Sequence, residues 1–66
     1  MKNKIKVQRA IYNFTQEDLA KKISVSRQTM NTMESGKYIP STALALKMAL
    51  VFGVSVEELF QLEEGD

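Results

Sequence analysis

Five side chains recur down one side of a short segment near the middle of the chain: Arg27, Gln28, Asn31, Thr32 and Ser35. At about 100° per residue they share a face if the segment is helical. Met30 and Met33 then point the other way, with Val25 just ahead to pack beneath them. An ordinary exposed helix face carries Glu and Lys in i,i+4 pairs. This one offers compact donors and acceptors instead. Arginine donates in pairs to guanine O6 and N7, glutamine or asparagine matches adenine N6 and N7, and a threonine methyl meets a thymine methyl. Such a row suits contact with the edges of stacked base pairs.

Other chemistry has little to work with. The chain has no His and no Cys, which removes the usual general base, the usual metal ligands and any disulfide. It shows no Gly-rich phosphate loop and no pair of carboxylates in an apolar setting. An enzyme is therefore the poorest fit, and no metal site is expected.

The polar row needs a helix held in a fixed pose, and the flanking residues supply the signals. Thr15 precedes Gln16-Glu17-Asp18 and then Leu19, Ala20 and Ile23. A threonine N-cap answered by Asp18 three residues on is a carboxylate form of the capping box, and Glu17 and Asp18 also suit the positive end of the helix dipole. This predicts a helix over about 16–23, with Lys21 and Lys22 in its last turn. Ser26 is a second N-cap only four residues after Lys22. That leaves room for a tight turn and nothing else, which is helix-turn-helix spacing. The second helix then covers about 27–35, and Gly36 ends it in the left-handed conformation.

Around this pair the chain reads as scaffold. A first helix is expected over about Lys4–Tyr12, with Ile5, Arg9 and Tyr12 on one stripe and Val7 and Ile11 on a second. Asn13 stops it, and Phe14 anchors it to the core. Lys37-Tyr38-Ile39-Pro40 forms a loop stiffened by the proline. Ser41 caps a fourth helix over about Thr42–Phe52, stopped by Gly53. In that helix Thr42, Ala45, Leu46, Ala49 and Phe52 follow the i, i+3, i+4, i+7 pattern of a core face, and Leu44, Met48 and Val51 form a stripe beside it. Ser55 and Glu58 make a second capping box for a fifth helix whose apolar set is Val56, Leu59 and Phe60. The tail, residues 61–66, is expected to fray.

Size and charge narrow the possibilities further. Sixty-six residues make one domain, 1–66, and a domain this small buries only about 60% of its unfolded surface. Good helix packing or a partner subunit must supply the rest. The longest apolar run, Met48 to Phe52, is too short to cross a bilayer. The net charge of +1 hides an asymmetry. Residues 1–47 hold all nine Lys and Arg against Glu17, Asp18 and Glu34, a balance of +6. Residues 48–66 hold Glu57, Glu58, Glu63, Glu64 and Asp66 and no base, a balance of −5. A basic front and an acidic back suit a protein that lays one face on phosphate.

The run TQEDLAKKISVSRQTMNTMESGKYIPS resembles the helix-turn-helix of the Cro/C1-type (Xre) transcriptional regulators, and the similarity extends from about Ile5 to Phe60. It is closest in pattern to the short regulators of Gram-positive bacteria that carry Ser-Arg-Gln-Thr at the start of the recognition helix. The resemblance implies an all-α, five-helix, lambda-repressor-like fold, in some small relatives with a short β pairing between the chain's start and its tail. It implies a cytoplasmic homodimer on double-stranded DNA, with no cofactor, no small-molecule ligand and no membrane association. By the same resemblance Arg27, Gln28 and Thr32 hold the main base-reading positions with Asn31 beside them, and Gln16 is the phosphate clamp. Thr15, Ser26, Thr29, Lys37 and Tyr38 would contact phosphates. Arg9 would pair with Glu34. The dimer contact is expected on the fifth helix and its flanks, at Val51, Val54, Val56, Phe60 and Leu62. Two positions depart from the family pattern: Gln8, where an aliphatic residue is usual, and Ser24, where the turn usually has glycine. A second reading keeps the same fold as a protein-binding module, an antitoxin or adaptor, whose binding would survive Arg27→Ala.

Overall fold

Four hydroxyl side chains start four helices. Thr15, Ser26, Ser41 and Ser55 each accept a hydrogen bond from the backbone N–H three residues on, at Asp18, Thr29, Leu44 and Glu58. At Thr15 and Ser55 the carboxylate of Asp18 or Glu58 also accepts from the cap's own N–H, so both capping boxes are complete. Each such cap contributes about 1 kcal/mol.

In the computed structural model, which describes residues 1–66, these caps set the element order. β1 is Lys2–Asn3, α1 Ile5–Tyr12, α2 Gln16–Lys22, α3 Arg27–Glu34, α4 Thr42–Phe52, α5 Val56–Leu59 and β2 Phe60–Gln61. The two strands pair antiparallel, Lys2 opposite Gln61 and Asn3 opposite Phe60. α2 and α3 pack against each other across the tight turn. The core runs through all five helices, with Ile5, Leu19, Ile23, Met30, Met33, Met48, Phe52 and Leu59 fully buried. Tyr12, Phe14 and Phe52 form an aromatic cluster with ring centroids 5.6 to 6.3 Å apart. The Tyr12 hydroxyl donates to the Phe52 carbonyl at 2.7 Å, tying the end of α1 to the end of α4.

Two expectations are corrected. On α4 the buried face is Ala45, Met48, Ala49 and Phe52, while Thr42 is exposed and Leu46 is 52% exposed. The helix is apolar on most sides, so periodicity alone does not select a face, and the long unbranched Met48 reaches the interior better than Leu46. Phe60 leaves α5 and adopts extended backbone in β2, because its ring is needed over the core while its main chain pairs with Asn3. In the exposed tail the Asp66 carboxylate accepts from the Glu63 N–H at 2.7 Å and stands 3.4 Å from the Met1 amino group.

The turn between α2 and α3 carries a backbone cost. Ser24 has φ +59°, in the left-handed region that a β-carbon disfavours. Ser24→Gly is expected to raise unfolding free energy by about 1 kcal/mol, read as a higher urea midpoint at unchanged slope.

The start of α2 makes the fold sensitive to acid. Backbone and side-chain hydrogen bonds from Thr15 hold the Asp18 carboxyl below its ordinary value of 3.8. A carboxylate with a depressed folded value contributes stability that is complete above its ordinary value and lost as pH falls through the depressed one. With no histidine in the chain, thermal melts are expected to be flat between about pH 5 and 7, below the ordinary range of an α-amino group, and to fall only below about pH 4. An Asp18→Asn variant should show a smaller fall.

Candidate nucleic-acid interface

Arg27 and Gln28 open α3 directly after the Ser26 cap, and both side chains are exposed. Asn31 is exposed one turn on, and Thr32 is half-buried beside it. Met30 and Met33, on the opposite side of the helix, are buried and hold that side to the core. The row is therefore turned away from the interior. Together with Gln16 it lines an open cleft of about 350 Å³ made by Gln16, Arg27, Gln28 and Asn31. A second cleft adjoins it, formed by Arg9, Phe14, Thr15, Gln16, Glu17 and Arg27.

The hydroxyls are already engaged within the chain, which limits what each still offers. Ser26 Oγ accepts from the Thr29 N–H at 3.0 Å and donates to Thr29 Oγ1 at 2.9 Å. The remaining Thr29 proton is free to donate outward. Thr32 Oγ1 donates back to the Gln28 carbonyl at 2.9 Å, so its methyl is the group left for a new contact. Gln16 Nε2 donates to Asn31 Oδ1 at 3.2 Å, linking the start of α2 to the middle of α3. The sequence indicated the Ser26 cap but not the other bonds, because the same groups suit outside partners equally well. Lys37 and Tyr38 project from the loop after α3, both exposed.

Behind the row, Arg9 and Glu34 form a two-pronged pair. Arg9 Nε donates to Glu34 Oε2 at 2.8 Å and Nη2 to Oε1 at 3.0 Å, while Nη1 donates to the Phe14 carbonyl at 3.0 Å. Their side chains are 14% and 7% exposed, so the last turn of α3 is locked to α1. Of the residues at the far end, Phe60 is covered by its own chain, and Val51, Val54 and Val56 pack half-buried against the core. Leu62 is 81% exposed and lines a cleft of about 320 Å³ with Leu46, Val56 and Phe60 among others. No helix is long and apolar enough to cross a membrane.

A helix-turn-helix family model matches residues 5–59, which takes in every helix. The chain belongs to the Cro/C1-type helix-turn-helix family. Several relatives match all or nearly all of its length. It is 56% identical over 66 residues, the full length of both chains, to an uncharacterized HTH-type transcriptional regulator of Methanocaldococcus jannaschii. It is 45% identical over 64 residues, 97% of each chain, to the HTH-type transcriptional regulator YgzD of Bacillus subtilis. An HTH-type transcriptional regulator of Archaeoglobus fulgidus is 47% identical over 64 residues, 97% of this chain and 90% of the relative. These relatives come from archaea as well as from a bacterium.

Proposed function

We propose that this protein is a sequence-specific, double-stranded DNA-binding transcriptional regulator. α3 lies in the major groove and reads base edges with Arg27, Gln28, Asn31 and the Thr32 methyl. The observation that supports this is the exposed polar row on a helix whose opposite face is buried and whose end is locked by the Arg9–Glu34 pair. Base readout needs rigid side-chain origins as well as the right groups.

Phosphates are held around that helix. Gln16 clamps one while bonded to Asn31. The first N–H groups of α2 and α3 that their caps do not reach point at others, beside Thr15, Ser26 and Thr29. Lys37 and Tyr38 add contacts from the loop. One such unit makes few base contacts, so the regulator acts as a homodimer. Two recognition helices stand about 34 Å apart on a near-palindromic operator. The contact lies around Val51, Val54, Val56 and Leu62, with Phe60 beneath them in the core, where Leu62 and the neighbouring cleft leave apolar surface uncovered. A dimer filling the groove across a promoter excludes other proteins, so the regulator is a repressor. It works in the cytoplasm, on the nucleoid.

Selection of bound sequences from random duplex DNA at fixed salt tests this. Enrichment of a palindrome with two half-sites one helical turn apart is expected. If no motif is enriched, the proposal fails.

A further inference from the structure

Asn3 lies far from the polar row in sequence, yet its side chain touches the recognition helix. Asn3 Nδ2 donates to the Met33 carbonyl at 2.9 Å. Asn3 Oδ1 accepts from the Ile5 N–H at 3.2 Å, so the same amide also steadies the start of α1. Its backbone belongs to β1 and is paired opposite Phe60 of β2. The neighbouring Lys4 N–H donates to the Leu59 carbonyl at 2.9 Å, continuing the tie to the end of α5. Gly36, just past α3, lies close to the same strand: a β-carbon there would come within 3.2 Å of the Met1 carbonyl oxygen.

The Met33 carbonyl is one of the last carbonyls of α3, which have no partner further along the helix. Its two lone pairs are filled by the Gly36 N–H at 3.1 Å and by Asn3. A neutral donor fits there, because the C-terminal end of a helix carries partial negative charge. Two independent fastenings thus hold the last turn of α3. Glu34 is fastened to α1 through Arg9, and Met33 is fastened to the terminal strand pair through Asn3.

We propose that Asn3 is a positioning residue for DNA recognition, its amide fixing the end of the recognition helix to the β1–β2 pair. The assignment rests on α3 being the base-reading element. Asn3 touches no base. It acts by limiting the rotation and tilt of α3, so that Arg27, Gln28 and Thr32 start from fixed positions. Loss of the bond weakens binding to the selected duplex more than binding to random duplex, because phosphate contacts tolerate small shifts that base contacts do not.

Two substitutions separate this role from simple support of α1. Asn3→Ala removes both hydrogen bonds. Asn3→Asp keeps an acceptor for the Ile5 N–H and suits the start of α1, but it donates nothing to Met33 and sets a negative charge at the wrong end of α3. Affinity for the duplex enriched in the selection, and for a scrambled duplex, is measured at a temperature where circular dichroism shows both variants fully folded. Both variants are expected to bind the selected duplex about fivefold to tenfold more weakly and the scrambled one within about twofold of the parent. Amide hydrogen exchange in the free protein is expected to speed up at Ser35 and Gly36 in both variants, and at Ile5 only in Asn3→Ala. If Asn3→Asp matches the parent in DNA binding while Asn3→Ala does not, the amide serves α1 and the proposal is overturned. Unchanged discrimination in both variants overturns it as well. A parent protein that enriches no sequence takes down the regulator reading first and this assignment with it.

Discussion

A Glu34→Ala chain is expected to melt roughly 15 to 30 °C below the parent. Alanine would leave the Arg9 guanidinium in place with only the Phe14 carbonyl to accept from it. Nε and Nη2 would keep their burial and lose their partner, since the Arg9 side chain is only 14% exposed. Stranding one member of a buried pair costs about 3–5 kcal/mol, much more than the net worth of the intact pair. In a domain of this size each kcal/mol moves the midpoint by about 4–8 °C, and total stability is of the order of 5–15 kcal/mol. Thermal denaturation followed by circular dichroism checks the value. The double variant Arg9→Met with Glu34→Leu is expected to recover most of the loss, because it removes the stranded charge. A single variant melting within about 5 °C of the parent would show that solvent rescues the arginine.

The second large effect concerns recognition. Arg27→Ala is expected to weaken binding to the selected duplex by about 1–3 kcal/mol per subunit, roughly 5- to 150-fold per half-site, while leaving the melting temperature close to that of the parent. Arg27 is exposed at the start of α3 and makes no hydrogen bond to its own chain that the fold would miss. Gln28→Ala should relax the preference at one position of the motif. Lys37→Ala should behave differently, lowering affinity for all sequences alike and reducing the salt slope by about one per subunit. Anisotropy titrations at several salt concentrations distinguish the two patterns. An Arg27→Ala protein that keeps the parent's motif and affinity would show that the helix face does not read bases.

The parts of the fold legible in the sequence were those written locally. A hydroxyl followed by an acid three residues on announced α2 and α5. Asn13, Gly36 and Gly53 marked turns into positive φ, as found at +60°, +81° and +66°. The departure at Ser24 fell where the backbone is left-handed. The polar row was legible because Met30 and Met33 fix which side of α3 faces inward. The rest depended on contacts between distant segments. The buried face of α4 could not be chosen from a helix apolar on most sides, and only packing selects Met48 over Leu46. The fate of Phe60 depended on a strand at the other end of the chain. Nothing in the sequence singles out Asn3. Its partner Met33 lies 30 residues away. Within the site, the sequence shows which groups are available but not which are already used, as with Gln16 on Asn31 and Thr32 on Gln28.

The β1–β2 pair also bears on how the molecule assembles. It joins residues separated by nearly the whole chain, whereas α2 and α3 meet across a turn. Contacts of long sequence separation pay their loop-closure entropy before they are rewarded, so the pair is expected to close late, after the helices have docked. Interactions absent at the folding barrier govern how fast a native molecule comes apart and have little influence on how fast it forms. The strand pair is thus a latch on the lifetime of the folded state, and the end of α3 is the part of the molecule it keeps shut.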